Sequence, residues 1–306
     1  MVHTAEFYAE IEKVDTYIIQ DIEKLYSKTI TMISNLDIKT LPDGVYFHFL
    51  KFFNKWRFYL VIDFMKMLNK NHIYESDYND IEKNIEIILK DIFSLNANKI
   101  ELNLKRIDFR KDITLSLEER ELLLKLYKKT KNNYKFTKKK TIFDSTIYFE
   151  NQSLKVVIYD KEKEQLDRKI TPIKSDVMRL EVRLFPKHLA YKKKYGFDRT
   201  LKNYLKNDVF REYLIKKGTP LIFFGNHYKI EVIIGILKMK GLKPEEQKEI
   251  KKLLNTISKY GYDSITKSFS YYKIRKYLNI LRENNINPLI IPGREEIDVL
   301  TVNFFN

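Results

Sequence analysis

Three stretches of the chain alternate apolar and charged residues with a period of two. In 177–184, Met178, Leu180, Val182 and Leu184 fall on one side of an extended chain, and Arg179, Glu181 and Arg183 on the other. In 154–160, Val156 and Ile158 oppose Lys155, Tyr159 and, one step further, Lys161. In 99–114, Ile100, Leu102 and Leu104 share a side, and then Ile107 and Phe109 oppose Arg106, Asp108 and Arg110. The phase slips by one residue near Lys105–Arg106, which predicts a β-bulge there. All three are read as strands with one apolar and one charged side. Tyr148, in Thr146-Ile147-Tyr148-Phe149, precedes the strand at 154–160 across a polar turn at 150–153.

Elsewhere the period is closer to 3.6. Helices are expected over 16–34, over 74–94 with Ile81, Ile85, Ile88, Leu89 and Phe93 as the buried stripe, and over 117–130. The turn Leu41-Pro42-Asp43-Gly44 should open a hairpin of 45–51 and 57–63. After Pro186 the chain reads as almost wholly helical: 197–217, 228–240, 245–260 and 270–284, broken at Gly218, Gly225, Gly241 and Gly261. The fold class predicted is therefore α+β, an antiparallel sheet with helices on one face followed by a mostly helical C-terminal domain. The domains expected are 1–186 and 187–306. Within the second, helix, short turn, helix 271–283 and an extended Pro288–Ile291 make either a winged helix-turn-helix or an ordinary bundle.

Charge changes this picture by its distribution. The net charge of the 306 residues is +16. Residues 1–100 hold 12 Lys and Arg against 15 Asp and Glu, so residues 101–306 hold 45 against 26. So basic a part makes nucleic acid the expected partner, because each neutralised phosphate releases condensed counterions. The densest run, 125–140, carries eight lysines and no acid, with Tyr127, Tyr134 and Phe136 interleaved, a pattern that suits backbone tracking and base stacking. No apolar run approaches the roughly 18 residues of a membrane span, and the start lacks an apolar leader, so no membrane contact and a cytoplasmic location are expected.

The chemistry left to such a chain is narrow. Without cysteine there is neither disulfide nor thiolate-held metal, and the five histidines form no ligand pair. No glycine-rich phosphate loop occurs. Carboxylates, cations and tyrosines on adjacent strands remain. Asp108, Glu181 and Glu164 (or its neighbour Glu162) offer hard oxygens of the kind that bind Mg²⁺ or Mn²⁺. A tyrosine oxygen would attack phosphorus, while Arg106, Lys161, Arg179 and Arg183 hold phosphate oxygens. The same charges would equally well pair as salt bridges on a strand face.

The order RIDFRKDI (106–113), TIYFENQSLKVVIYDKEKEQ (146–165) and MRLEVRL (178–184) resembles rolling-circle replication initiators. Most similar are the Rep_trans-type initiators of Gram-positive plasmids and conjugative elements; the filamentous-phage gene II/X replication proteins show a related order. The resemblance covers about residues 99–185 and implies a rolling-circle nuclease-like sheet. It implies Tyr148 as the nicking nucleophile, Asp108, Glu164 and Glu181 as ligands of Mg²⁺ or Mn²⁺, and Lys161, Arg179 and Arg183 in support. The activity implied is a nick in one strand at a replication origin, through a 5′-phosphotyrosine link and a free 3′-hydroxyl. Its partners would be origin DNA, single- and double-stranded, a host helicase and polymerase, and a second copy in a homodimer. Glu150-Asn151 stands where the plasmid family has Gly-Ser after the tyrosine, which keeps Tyr159 open as the alternative nucleophile. A conjugative relaxase of the same chemistry and a non-catalytic DNA-binding regulator are the rival functions.

Overall fold

The protein is an α+β fold, seen here in a computed structural model. It describes all residues except 12–40, 53–54, 94–97, 131–137, 143–144, 170, 172–174, 303 and 306; for 51, 52, 55 and 138–142 it describes the backbone alone. The chain divides into two compact units. The first comprises Met1–Arg110, Gln152–Leu154 and Arg183–Glu212, and the second Lys111–Asn151, Lys155–Val182 and Tyr213–Asn306.

In the first unit the strands are β1 (Val2–Ile11), β2 (Val45–Phe52), β3 (Lys55–Asp63) and β4 (Asn103–Thr114), in the order β2-β3-β1-β4. Each neighbouring pair is antiparallel. Along β1, Val2, Ala5, Phe7, Ala9 and Ile11 are buried, and the residues between them are more exposed. Opposite Glu6 and Phe7 of β1 stand Arg106 and Leu104, so Lys105 is an extra residue on β4. That is the bulge the phase slip predicts, and it returns Ile107 and Phe109 to the buried side. The hairpin β2–β3 forms as expected. Gly44 in its approach takes φ +80°, and a Cβ there would meet the Lys66 Cβ at 2.6 Å, so only glycine fits the turn. A short helix α1 (Phe64–Met67) follows, capped by the Asp63 carboxylate, and then α2 (Tyr78–Phe93). α2 buries Ile81, Ile88, Leu89, Ile92 and Phe93, and Phe93 packs edge-on to Phe58 at 4.9 Å.

The second unit holds α3 (Leu117–Tyr127), β5 (Lys138–Ile142), β6 (Thr146–Glu150), β7 (Leu154–Asp160), α4 (Lys161–Asp167) and β8 (Val177–Leu184), with strand order β8-β7-β6-β5. α3 begins in a capping box, Ser116 accepting from the Glu119 amide and Glu119 accepting from the Ser116 amide. Pro186 ends β8 and becomes the first residue of α5 (Pro186–Lys194), since its missing amide hydrogen costs nothing at a helix start. The single helix expected over 197–217 is instead α6 (Leu201–Tyr204), α7 (Asn207–Tyr213) and a π turn Leu214–Gly218, followed by α8 (Thr219–Ile222).

The C-terminal helices are α9 (Ile230–Met239), α10 (Pro244–Tyr260) and α11 (Tyr271–Glu283). They group with residues 111–182 in place of forming a unit that begins at 187. Contacts between the two stretches show why: the Tyr262 amide donates to the Lys129 carbonyl at 2.8 Å, and the His227 ring meets Tyr127 edge-on. A two-strand pair accompanies the helices, made of β9 (His227–Tyr228) and β10 (Val299–Leu300). The expected strand at 288–291 is not one; single bridges flank it, Asn226 to Ile286 and Lys229 to Ile291. The chain crosses closely here. Gly225 has φ +93°, and a Cβ on it would sit 2.6 Å from the Asn285 carbonyl carbon. Gly225→Ala is expected to cost about 2 kcal/mol in a urea melt, because backbone and not a flexible side chain would have to give way.

The helix expected over 16–34 lies outside the described residues, as does most of the lysine run after Thr130. Among the described residues no helix is long and apolar enough to cross a membrane.

Candidate functional site

In the antiparallel register of β6 and β7, Tyr148 stands opposite Val157, Thr146 opposite Tyr159 and Glu150 opposite Lys155. Directly opposed residues share a face, so both tyrosines lie on the same side of the sheet, with Lys155. Tyr148, Val157 and Tyr159 form one buried cluster there. Lys155 places its ammonium 4.1 Å from the Tyr148 ring centre, a cation over a π face.

The two hydroxyls differ. Tyr159 Oη donates to Glu181 Oε1 at 2.6 Å and accepts from Arg179 Nη1 at 3.2 Å. Arg179 also grips Asp112 with two parallel bonds, Nε to Oδ1 at 2.8 Å and Nη2 to Oδ2 at 3.1 Å. Burial, reinforced by the Glu181 charge, raises the Tyr159 phenol well above its ordinary value. Burial works against the Arg179 cation, but Tyr159 and Asp112 outweigh it and its pKa rises. By contrast, the Tyr148 hydroxyl makes no hydrogen bond among the described residues, although the side chain is only 8% exposed.

Much of the charged side of these strands is buried, while Arg106, Lys155 and Arg183 are part-exposed. Arg179, Glu181, Asp108 and Arg110 are all nearly inaccessible, and their charges are balanced inside the protein. In the first unit, Asp108 faces Arg106 (Nε–Oδ1 3.1 Å) and Arg183 (Nε–Oδ2 3.8 Å), and Glu6 takes Lys105 at 2.6 Å and Arg106 at 3.8 Å. In the second, Glu164 is held by Lys161 at 2.7 Å and by Arg168 at 2.6 Å, one turn along α4. Lys161 also lies 5.8 Å from the Tyr159 ring. Glu162, the alternative ligand, goes elsewhere, to Arg120 at 2.7 Å.

These placements bear on the expected metal site. Among the described residues no three His, Asp or Glu side chains come together in a way that could hold one ion. Asp108, Glu164 and Glu181 are each in contact with at least one guanidinium or ammonium instead. Asp108 belongs to the first unit, and Glu164 and Glu181 to the second. The structure does bring together Tyr148 and Tyr159, and Tyr159 with Glu181, Arg179 and Lys161.

Sequence reasoning passes over Arg120 and Asp112, and puts Lys155 on the face of Tyr159 without giving it a role. Arg120 is 1% exposed and donates through Nε to Asp160 at 2.8 Å, through Nη2 to Glu162 at 2.7 Å, and through Nη1 to Asp176 at 2.7 Å and the Leu115 carbonyl at 2.9 Å. A signal was present: Arg120 is three, four and seven residues before Leu123, Leu124 and Tyr127, so it sits on the apolar stripe of its helix. Asp112 extends the alternate-position series 106, 108, 110 by one step.

Away from these strands, His227 is fully buried. Its Nδ1 donates to the Leu289 carbonyl at 2.7 Å, and its ring meets Tyr127 edge-on. Burial pushes its pKa down to about 4, against the opposing pull of that carbonyl. In the unfolded chain the group titrates near 6.5, so protons bind the unfolded state more tightly as pH falls below that value. From pH 7 to pH 5, wild-type protein is expected to lose about 2 kcal/mol more stability than His227→Gln in matched urea titrations. Equal losses would count against this.

The fold and the site together define a class: an α+β protein whose sheet carries two clustered tyrosines, one of them held with an arginine and a glutamate in a buried polar network. No protein-family model matches the chain, and no curated protein matches it.

Proposed function

We propose that the protein nicks and rejoins one strand of DNA to initiate rolling-circle replication, with Tyr148 as the nucleophile. The observation that carries the reading is the tyrosine pair on one sheet face, of which Tyr148 alone has a hydroxyl without a hydrogen-bond partner among the described residues and a lysine beside it. The resemblance across 99–185 adds the order of the motifs, and the net positive charge of 101–306 adds the affinity for phosphate.

In the proposed step the Tyr148 oxygen attacks a backbone phosphorus. A phosphorus–oxygen bond to the tyrosine forms, the bond to the 3′ oxygen breaks, and the phenolic proton ends on that oxygen as a 3′-hydroxyl. The reverse attack by a 3′-hydroxyl rejoins the strand. Lys155 lies close enough to offset charge on the phenol and a nearby phosphate oxygen. Mg²⁺ or Mn²⁺ enters this reading from the resemblance alone, and no step is routed through it.

A second reading has its own observation. The burial of Asp108, Arg179 and Glu181, with Asp108 paired to Arg106 and Arg179 paired to Asp112 and Glu181, suits a purely structural role for the charged face, in a DNA-binding protein without catalysis. One experiment separates the two: incubation of the full chain with labelled single-stranded DNA and with supercoiled plasmid, in Mg²⁺, Mn²⁺ or EDTA. A covalent protein–DNA adduct is expected. Binding without an adduct under every condition would leave the second reading standing.

A further inference from the structure

One surface of the second unit plays no part in the nicking chemistry. α10 and α11 lie side by side in opposite directions, registered by Lys276 to Glu246 at 2.6 Å, Lys273 to Glu249 at 3.1 Å, and Lys252 placed 5.8 Å over the Phe269 ring. The two glutamates of that seam are thus engaged across it. Lys248, Lys251, Lys252 and Lys259 have no carboxylate partner among the described residues and are exposed on α10. At 100° per residue, these four and Asn255 fall within an arc of about 100° on one side of the helix, over a length of about 16 Å. They line a shallow groove that runs to Tyr260.

Beside this stripe the protein leaves two tyrosines in water, Tyr260 and Tyr272, while Tyr271 lies about 200° round α11 from Lys273, on the flank away from α10. Tyr260 at the end of α10 is 66% exposed, and Tyr271 and Tyr272 in the first turn of α11 are 81% and 76% exposed. The register of the helices sets that first turn level with Lys248–Lys252, because Lys273 meets Glu249 and Phe269 meets Lys252. Exposed aromatic rings beside unpaired lysines match the two needs of an unpaired strand, phosphates to neutralise and base faces to stack on. A duplex would use the lysines but has its bases already stacked, so the tyrosines would gain nothing from it.

We infer that this face of α10 and α11 binds single-stranded nucleic acid, its lysines following the phosphates and Tyr260 and Tyr272 stacking on bases. The inference takes its substrate class from the nicking reading but none of its chemistry. The test is fluorescence anisotropy of the full chain with a labelled oligothymidine and with a mixed-sequence duplex of equal length, at several salt concentrations. The single strand is expected to bind more tightly. Tyr272→Ala and, separately, Tyr260→Ala should each weaken single-strand binding about tenfold and change duplex binding less than twofold. Lys251→Gln with Lys252→Gln should flatten the slope of log affinity against log salt by about 1.4, two phosphate contacts' worth. Circular dichroism confirms that these surface variants fold. Tyrosine variants that bind the single strand like wild type, or a wild type that prefers duplex, overturn the inference. If no covalent adduct forms but the strand binds as described, the nicking reading fails and this surface stands. If the adduct forms while the tyrosine variants bind normally, only the surface fails.

Discussion

Replacing Arg120 with leucine is expected to destabilise the protein by about 3–5 kcal/mol, the range for removing one partner of a buried ion pair. The guanidinium is 1% exposed and Asp160, which it pairs with, is fully buried. Asp160 also caps α4, its other oxygen accepting from the Lys163 amide at 3.1 Å. Loss of the arginine would strand a negative charge out of water and, with it, the Leu115 carbonyl. Arg120→Lys is expected to recover less than half of the loss, since one ammonium cannot reproduce the fork that reaches Asp160, Glu162 and Asp176 together. Asp176 offers the control. Its side chain is half exposed, so Asp176→Asn should cost under about 1 kcal/mol. Urea denaturation of the four proteins measures this; a loss as large for Asp176→Asn as for Arg120→Leu would mean that burial is not what gives the network its weight.

Tyr148→Phe is expected to abolish the covalent adduct with DNA, and Tyr159→Phe to keep it. The two tyrosines lie in one cluster, so proximity alone does not rank them. Their hydroxyls do. The Tyr159 proton is held by Glu181 at 2.6 Å, and burial raises that phenol well above its ordinary value, which makes it a poor nucleophile. The Tyr148 hydroxyl has no such tie among the described residues, and a lysine sits at its ring. Tyr159→Phe should show its effect in stability instead, about 1–3 kcal/mol, because Glu181 loses a buried donor. Denaturing gel electrophoresis after incubation with labelled DNA reads the adduct. An adduct with Tyr148→Phe and none with Tyr159→Phe would reverse the assignment.

Much of the sheet was legible before any coordinates. Strict alternation marked β4, β7 and β8, and the slip in phase near Lys105 marked the bulge, because a strand that must keep Ile107 and Phe109 in the core has to absorb the extra residue somewhere. β1 was passed over although Val2, Ala5, Phe7, Ala9 and Ile11 carry the same signal; two of the five are alanines, too small to stand out. Periodicity over 197–217 predicts one helix where the chain forms two and a π turn, because a period count does not register such a turn.

For the site, the alternating pattern by itself determined which residues share a strand face, and so put Arg179 with Glu181 and Lys155 with Tyr159. Covalent geometry does this alone, since successive side chains in a strand must point to opposite sides. What tertiary structure decided was the state of those charges. Period-two patterning is the same whether the polar side meets water or protein, and here much of it is buried. Glu162 and Glu164, two residues apart in the first turn of α4 and so on opposite sides of it, serve different cations, Arg120 for the first and Lys161 and Arg168 for the second. Burial is also why Asp108, Glu164 and Glu181 end in separate ion pairs: a carboxylate out of water takes the nearest cation, and which cation is nearest is set by packing between residues far apart in the chain, as between Asp108 and Arg183.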